Sequence, residues 1–280
     1  MNIPGYLRRL GLPAFEHAPP SAGALRALHA AHVERIAYEA LEIWLGRPTT
    51  VDPLESAARI LGGRGGYCYH LNGAFSELLA KLGYAVTRHV GGAQMRGAEP
   101  GIIGNHLVLT VSGLPDEANP GGVWLVDAGL GDGLHEPLPL VAGTYRQGPH
   151  EYGLRPSEVA PGGWRFDHDP AGSFLGMDFR LEPAEMADFA AMHEHLSTSP
   201  ESGFVRTAVV QRRDARGVDS LRGLVLSRLG VGADRVTLES SRDYFAALAD
   251  VFALPLDDVS GGEKEKLWSR LHTAHEAWLA

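Results

Sequence analysis

The chain has 280 residues, 44% of them apolar and 21% charged, which suits a soluble globular protein of two or three subdomains sharing a cleft. Its net charge of −9, with acidic and basic residues mixed along the chain, argues against non-specific nucleic-acid binding, which needs basic patches. One cysteine, Cys68, excludes an internal disulfide and a cysteine-rich zinc site. No apolar run approaches the roughly 20 residues that span a bilayer. The opening Met1-Asn2-Ile3-Pro4-Gly5 lacks the features of a secretory signal, so a cytoplasmic location is expected.

In chain order, the first third reads as helical. A short opening segment carries Leu7 and Leu10 before Gly11 and Pro13 interrupt it. Over 21–45, Leu25, Leu28, His32, Ile36 and Leu41 recur at three- and four-residue spacing, with Ser21 placed to cap the start. A further helix is predicted after Gly65-Gly66, where Cys68, Leu71, Phe75, Leu78 and Leu82 keep helical period and Gly83 marks the end. Short strands are expected at 84–91, 105–111, 123–128 and 163–168, among Gly- and Pro-rich turns that suggest an antiparallel sheet or barrel. The run from Gly143 to Gly163 reads as a long, mobile loop. Beyond Pro183 the pattern gives a helix near 184–196, a strand at 204–210 and helices near 241–253 and 261–279.

The most informative stretch is Arg64-Gly65-Gly66-Tyr67-Cys68-Tyr69-His70-Leu71-Asn72. Two glycines followed by a helical pattern put Cys68 in a first helical turn, where free N–H groups and the helix dipole stabilise a thiolate and can receive an oxyanion. Cys68 also fits the apolar phase of Leu71 and Phe75, as a core cysteine would. A cysteine nucleophile needs a base and the base an orienting group. His106 opens the apparent strand 105–111, and Asp127 ends the apparent strand 123–128. Pairing these strands with Val111 opposite Val123 sets His106 opposite Ala128, with Asp127 as its neighbour. Asp127 also fits as a cap on the glycine-rich turn that follows.

Other signals are weaker. Gly129-Leu130-Gly131-Asp132-Gly133 follows a strand but misses the spacing of a dinucleotide loop. His29 and His32 share a helix face, as do His272 and His275, but no acidic or cysteine partner stands at metal-ligand spacing. No metal is expected. No G-x-S-x-G elbow occurs.

Taken together, these segments resemble the arylamine N-acetyltransferase family over most of the chain. Tyr6-Leu7-Arg8-Arg9-Leu10-Gly11 is similar to its opening, and Leu28-His29 through His32 to Ile36-Ala37-Tyr38-Glu39 to its second helix. Arg64 to Tyr69 resembles its nucleophile motif, His106-Leu107-Val108 its histidine strand and Leu125 to Gly131 its aspartate strand. Ser197-Thr198-Ser199-Pro200 to Gly203-Phe204 is similar to the segment that opens its third domain. The resemblance implies an α+β fold with a papain-like triad core. It would comprise a helical domain over 1–84 carrying the nucleophile, an antiparallel β-barrel over 85–187 carrying His and Asp, and an α/β lid over 188–280.

It implies that Cys68, His106 and Asp127 move an acetyl group from acetyl-CoA to an arylamine, arylhydrazine or N-hydroxyarylamine, in ping-pong order. Glu39 and Arg64 would pair beside the site, and Tyr38 and Leu130 would line the acceptor pocket. Four positions depart from the family pattern. His70 replaces the usual Glu, Ala37 and Ala40 a Pro and an Asn, Asn105 a Thr associated with CoA contacts, and Leu130 a Phe. The rival expectation is an amide synthase of the same fold that moves a polyketide acyl chain to an amine.

Overall fold

The structure is a computed structural model that describes residues 1–279. Five helices occupy the first third: α1 (Ile3–Arg9), α2 (Ala22–Arg35), α3 (Leu41–Leu45), α4 (Pro53–Leu61) and α5 (Cys68–Lys81). Ser21 caps α2 by accepting from the Ala24 N–H, and Gly83, at φ +88°, follows the end of α5. Eleven of the fourteen residues of α5 are buried, so this helix is wrapped on nearly every side and forms the centre of the larger core. The two-residue strand β1 (Tyr38–Glu39) lies between α2 and α3.

Eight strands follow: β2 (Ala85–Gln94), β3 (His106–Ser112), β4 (Trp124–Val126), β5 (Leu138–Pro139), β6 (Gly143–Gln147), β7 (His150–Pro156), β8 (Trp164–Asp167) and β9 (Gly176–Pro183). They form one antiparallel sheet in the order β5-β4-β3-β2-β9-β8-β7-β6. Val108, Leu125, Leu138, Tyr152, Phe166 and Met177, from six of these strands, meet in a single buried cluster. The sheet is therefore curled into a nearly closed barrel, with β5 and β6 as its unjoined edges.

The remaining chain contributes α6 (Ala190–Thr198), α7 (Gly203–Arg206), β10 (Val209–Asp214), β11 (Gly217–Arg222), β12 (Val225–Gly230), β13 (Asp234–Thr237), α8 (Ser241–Asp250) and α9 (Gly261–Leu279). Its four strands join β1 in a second antiparallel sheet, ordered β1-β10-β11-β12-β13. The N-terminal third thus supplies the edge strand of the C-terminal sheet. Arg213 on β10 is buried and donates to the carbonyls of Gly133, Gln147 and Gly217, which ties that sheet to the barrel loops.

Three sequence expectations are corrected here. The run from Gly143 to Gly163 is not a loop over 143–156 but the hairpin β6–β7, with His150, Tyr152 and Leu154 turned inward at strand period. The strand expected at 204–210 is displaced, because Gly203–Arg206 is helical and Ser202 caps it. Pairing of β3 with β4 sets Val111 opposite Trp124, one residue from the expected Val123. Continuing that register brings Asp127 opposite Val108, on the same sheet face as His106, whereas the expected register would have turned them to opposite faces. Among the described residues, no helix is long and apolar enough to cross a membrane.

Candidate active site

Cys68 is the first residue of α5, with Tyr67 as the N-cap. Steric demand explains the glycines before it: a Cβ at Gly65 would run into the Ala37 carbonyl, and one at Gly66 would come within 2.5 Å of His70 Cβ. His70 takes up a capping role, since its Nδ1 accepts from the Tyr67 N–H at 3.3 Å. It is buried beside Arg59 and His193, and burial first, then those charges, hold its pKa well below the usual histidine value. A neutral imidazole therefore fills the position where the family pattern has a carboxylate.

The thiol lies at the wall of a cavity of about 210 Å³ and points to the Asn105 carbonyl at 3.7 Å. His106 shares that wall. Its Nε2 donates to Asp127 Oδ2 at 2.7 Å, which leaves Nδ1 as the ring nitrogen not engaged by the carboxylate. Burial lowers the His106 pKa, but the Asp127 carboxylate and the Cys68 thiolate outweigh it and push it up to about 10.

Asp127 is 1% exposed and fully bonded. Its Oδ1 accepts from Asn72 Nδ2 at 2.7 Å and from the Gly129 N–H at 3.0 Å, so the turn-capping reading of this residue and the histidine-holding one describe the same carboxylate. Asn72, one helical turn beyond Cys68, also donates to the Leu107 carbonyl at 2.7 Å and accepts from the Ala128 N–H at 2.9 Å. It thereby locks α5 to β3 and to the end of β4. Gly129 permits this closeness, since a Cβ there would lie 2.7 Å from Cys68 Cα.

Behind Asp127 stands His29, wholly buried on α2. Its Nε2 accepts from the Asp127 N–H at 3.2 Å and its Nδ1 donates to the His135 carbonyl at 2.9 Å. Burial is the larger influence and lowers its pKa to about 4, so it stays neutral at pH 7. His32 instead bonds Tyr6 Oη at 3.0 Å, so the two histidines serve different partners. Sequence reasoning offers the His29–His32 pair only as a metal candidate and gives Asn72 no role. The available signals are the four-residue step from Cys68 to Asn72 and a histidine on an otherwise buried helix face.

Tyr38, Leu130 and Asn105 all line the cavity, together with Phe174, Phe204 and Gln211. The Asn105 side chain is already committed, because it donates to the Ala93 carbonyl at 3.1 Å and accepts from the Ala93 N–H at 2.7 Å. Arg64 Nε lies 3.8 Å from Glu39 Oε1, while its Nη2 lies closer, at 2.7 Å, to Glu42. Arg64 also reaches Asp258, so this buried guanidinium faces three carboxylates. Glu39 in turn accepts from the N–H groups of Leu41 and Gly65, bracing the turn before Cys68.

The N-acetyltransferase family model matches residues 22–260. An arylamine N-acetyltransferase of Mycolicibacterium smegmatis is 33% identical over 275 residues, covering 93% of this chain and 94% of that protein. Proansamycin X synthase of Amycolatopsis mediterranei is 32% identical over 143 residues, covering 49% of this chain and 52% of its own length. The structure of the Mycobacterium marinum arylamine N-acetyltransferase in complex with CoA aligns with a TM-score of 0.84 at 26% identity, over 98% of this chain and 99% of that one. By the family match and by this likeness over nearly the whole length, the chain belongs to the arylamine N-acetyltransferase family.

Proposed function

We propose that this chain is an acetyl-CoA-dependent arylamine N-acetyltransferase working through an acetyl-Cys68 intermediate. The observation that carries the reading is His106, held by Asp127 through Nε2 and lining the same cavity wall as Cys68, so that Nδ1 is the nitrogen left for the thiol. His106 takes the thiol proton, leaving a thiolate at the positive end of α5 and an imidazolium against Asp127. The thiolate attacks the thioester carbonyl of the donor, and first-turn N–H groups of α5 receive the oxyanion. The C–S bond to CoA breaks, and the departing sulfur takes the proton from His106. An amine then attacks the acetyl-enzyme, His106 accepts its proton, and the thiol is restored with release of the amide.

The family membership and the CoA complex of a relative support acetyl-CoA as donor, and the relatives' names support an arylamine acceptor. Tyr38 and Leu130 are assigned to the acceptor side of the cavity, with Glu39, Arg64 and His70 supporting the loop before Cys68. We divide the chain at 84/85 and 187/188 into a helical unit, a barrel unit and a lid unit, with β1 crossing from the first to the third.

Initial rates of CoA release, with acetyl-CoA and an arylamine both varied, test the reading. Parallel double-reciprocal lines are expected. Lines that converge would require both substrates bound together and would remove the intermediate. The half-length match to proansamycin X synthase supports one second reading, transfer of a longer acyl chain to an amine. It would be favoured by turnover of long-chain thioesters where acetyl-CoA gives none.

A further inference from the structure

The run Gly129-Leu130-Gly131-Asp132-Gly133 carries a buried carboxylate, Asp132, to which the proposed transfer chemistry gives no task. A buried charge is costly unless it is paired, so its partners define its purpose. Those partners lie on the loop between β8 and β9, residues 168–175. Asp132 Oδ2 accepts from the Ser173 N–H at 2.6 Å, and Oδ1 accepts from Ser173 Oγ at 2.9 Å. Oδ1 also lies 3.5 Å from Nε2 of His168, a buried ring whose Nδ1 donates to the Asp169 carbonyl at 3.1 Å. Burial favours the neutral form of Asp132, but the His168 ring and the Ser173 donors outweigh it and hold its pKa below the usual carboxylate value. Its bonds to the loop are therefore charge-assisted.

The loop end held in this way is a wall of the Cys68 cavity. Ser173 and Phe174 line that cavity, as do Gly129 and Leu130 from the loop of Asp132 itself. Phe174 and Leu130 belong to one buried apolar cluster, and Phe174 stands edge-on to the His168 ring with centroids 4.3 Å apart. One carboxylate thus joins the two loops that supply these apolar walls. The rest of the β8–β9 loop has anchors of its own. Arg96 Nη2 donates to the carbonyls of Pro170 and Gly172, and the Leu175 N–H donates to the Gln94 carbonyl. The cavity, at about 210 Å³, is smaller than the roughly 300–1,000 Å³ of most small-molecule sites, so a modest shift of one wall changes what fits.

We infer that Asp132 is a positioning residue for the acceptor: with His168 it pins the Ser173–Phe174 end of the β8–β9 loop beside Leu130, and so limits the size of amine that reaches the acylated Cys68. The inference rests on the reading of Cys68 as an acyl carrier and of the Leu130 side as the acceptor side. It assigns Asp132 to the second half of the reaction alone. Acylation of Cys68 does not depend on where Phe174 stands, whereas discharge to a bulky amine does.

Discharge of the acetylated enzyme by aniline and by 4-butylaniline, amines of similar basicity and different length, tests it. The proteins compared are wild type, Asp132→Asn, Ser173→Ala, Phe174→Leu and the double variant Asp132→Asn/Phe174→Leu. The ratio of kcat/KM for 4-butylaniline to that for aniline should rise about fivefold in Asp132→Asn, through KM, while the rate of Cys68 acetylation moves less than about twofold. Ser173→Ala should shift the ratio in the same direction by less. A ratio unchanged or lowered in Asp132→Asn, or equal slowing of acetylation and discharge, overturns the assignment. If Asp132→Asn does not fold, an unchanged ratio in Ser173→Ala overturns it instead. In the Phe174→Leu background the Asp132→Asn change should add less than about twofold to the ratio, because the two residues act through one wall. A full additive shift there would show another route and overturn it as well. Mass analysis of wild type with acetyl-CoA keeps the two failures apart. No acetyl group on Cys68 sinks the acyl-carrier reading, and an acetylated enzyme with an unchanged acceptor ratio in the variants sinks only the Asp132 assignment.

Discussion

The surroundings of Asp127 and the exposed arginines of the C-terminal sheet are built on opposite principles. Around Asp127 the hydrogen-bonding capacity is consumed within the protein, by His106, Asn72, Gly129 and His29, all deeply buried. On that sheet, Arg222 and Arg235 are exposed and have no ionic partner among the described residues. A buried network with every partner present fixes one geometry, and a surface with unspent donors leaves its partner to arrive from solution. Under the proposed function, the contrast separates reaction class, assigned to the buried network, from the choice of donor and acceptor, assigned to the cavity walls.

The largest expected effect falls on the nucleophile. Cys68→Ser should lower acetyl transfer by at least about 10⁴-fold, in keeping with the loss of a member of a triad, while circular dichroism and the melting curve stay near wild type. Next comes Asp127→Asn, expected to cost about 10³–10⁴-fold in kcat by releasing the His106 ring and removing its counter-charge. A loss under tenfold would show that Asp127 only caps its turn.

Asn72→Ala should follow, leaving Asp127 Oδ1 and two backbone groups short of partners. A cost of about 1–3 kcal/mol per buried unpaired group predicts a clear fall in thermal midpoint together with a slower acylation step. His29→Gln, which can still bond in part, should have a milder effect of the same kind.

Two pH dependences sharpen the same comparison. His106, raised to about 10, keeps its proton well above neutrality, so single-turnover acylation should hold up to about pH 9 and decline near 10. Its contribution to stability is fully present below the unfolded value near 6.5 and is lost as pH rises through 10. Asp127→Asn should bring both limits down. The opposite sign applies to His29 and His32, lowered to about 4 and about 3 chiefly by burial. The unfolded chain binds their protons first, so stability should fall as pH drops from about 6.5 toward 4, by a few kcal/mol in total. A melting temperature flat over pH 4–7 would contradict their burial as neutral groups. The smallest effect expected is that of Leu130→Phe, which narrows the cavity and should raise KM for bulky arylamines more than for small ones.

Much of the site is legible in the sequence because its parts carry local signatures. Paired glycines, then a cysteine at the start of an apolar helical pattern, narrow Cys68 to two readings, a reactive thiol or a core cysteine. His106 and Asp127 open and close apolar strands, where a charged group needs a partner. Sequence places their register one residue off because Val123 continues the apolar run of β4 although the ladder starts at Trp124. Asn72 and His29 are hidden for a different reason. Their partners lie 55 and 98 residues away, and a buried Asn or His looks the same in sequence whatever it bonds.

The hairpin over 143–156 reads as a loop in sequence since β6 is largely exposed and Gly-rich turns surround it. The strands β11 to β13 escape a pattern search because Arg222, Arg228, Asp234 and Arg235 break the apolar alternation expected of strands.

Intact-mass measurement of wild type and Cys68→Ala after brief exposure to acetyl-CoA tests the central claim most directly. The account predicts one added acetyl group on wild type alone, discharged as the amide when an arylamine is supplied. Acetylation of both proteins alike, or arylamine acetylation by Cys68→Ala at the wild-type rate, would contradict it.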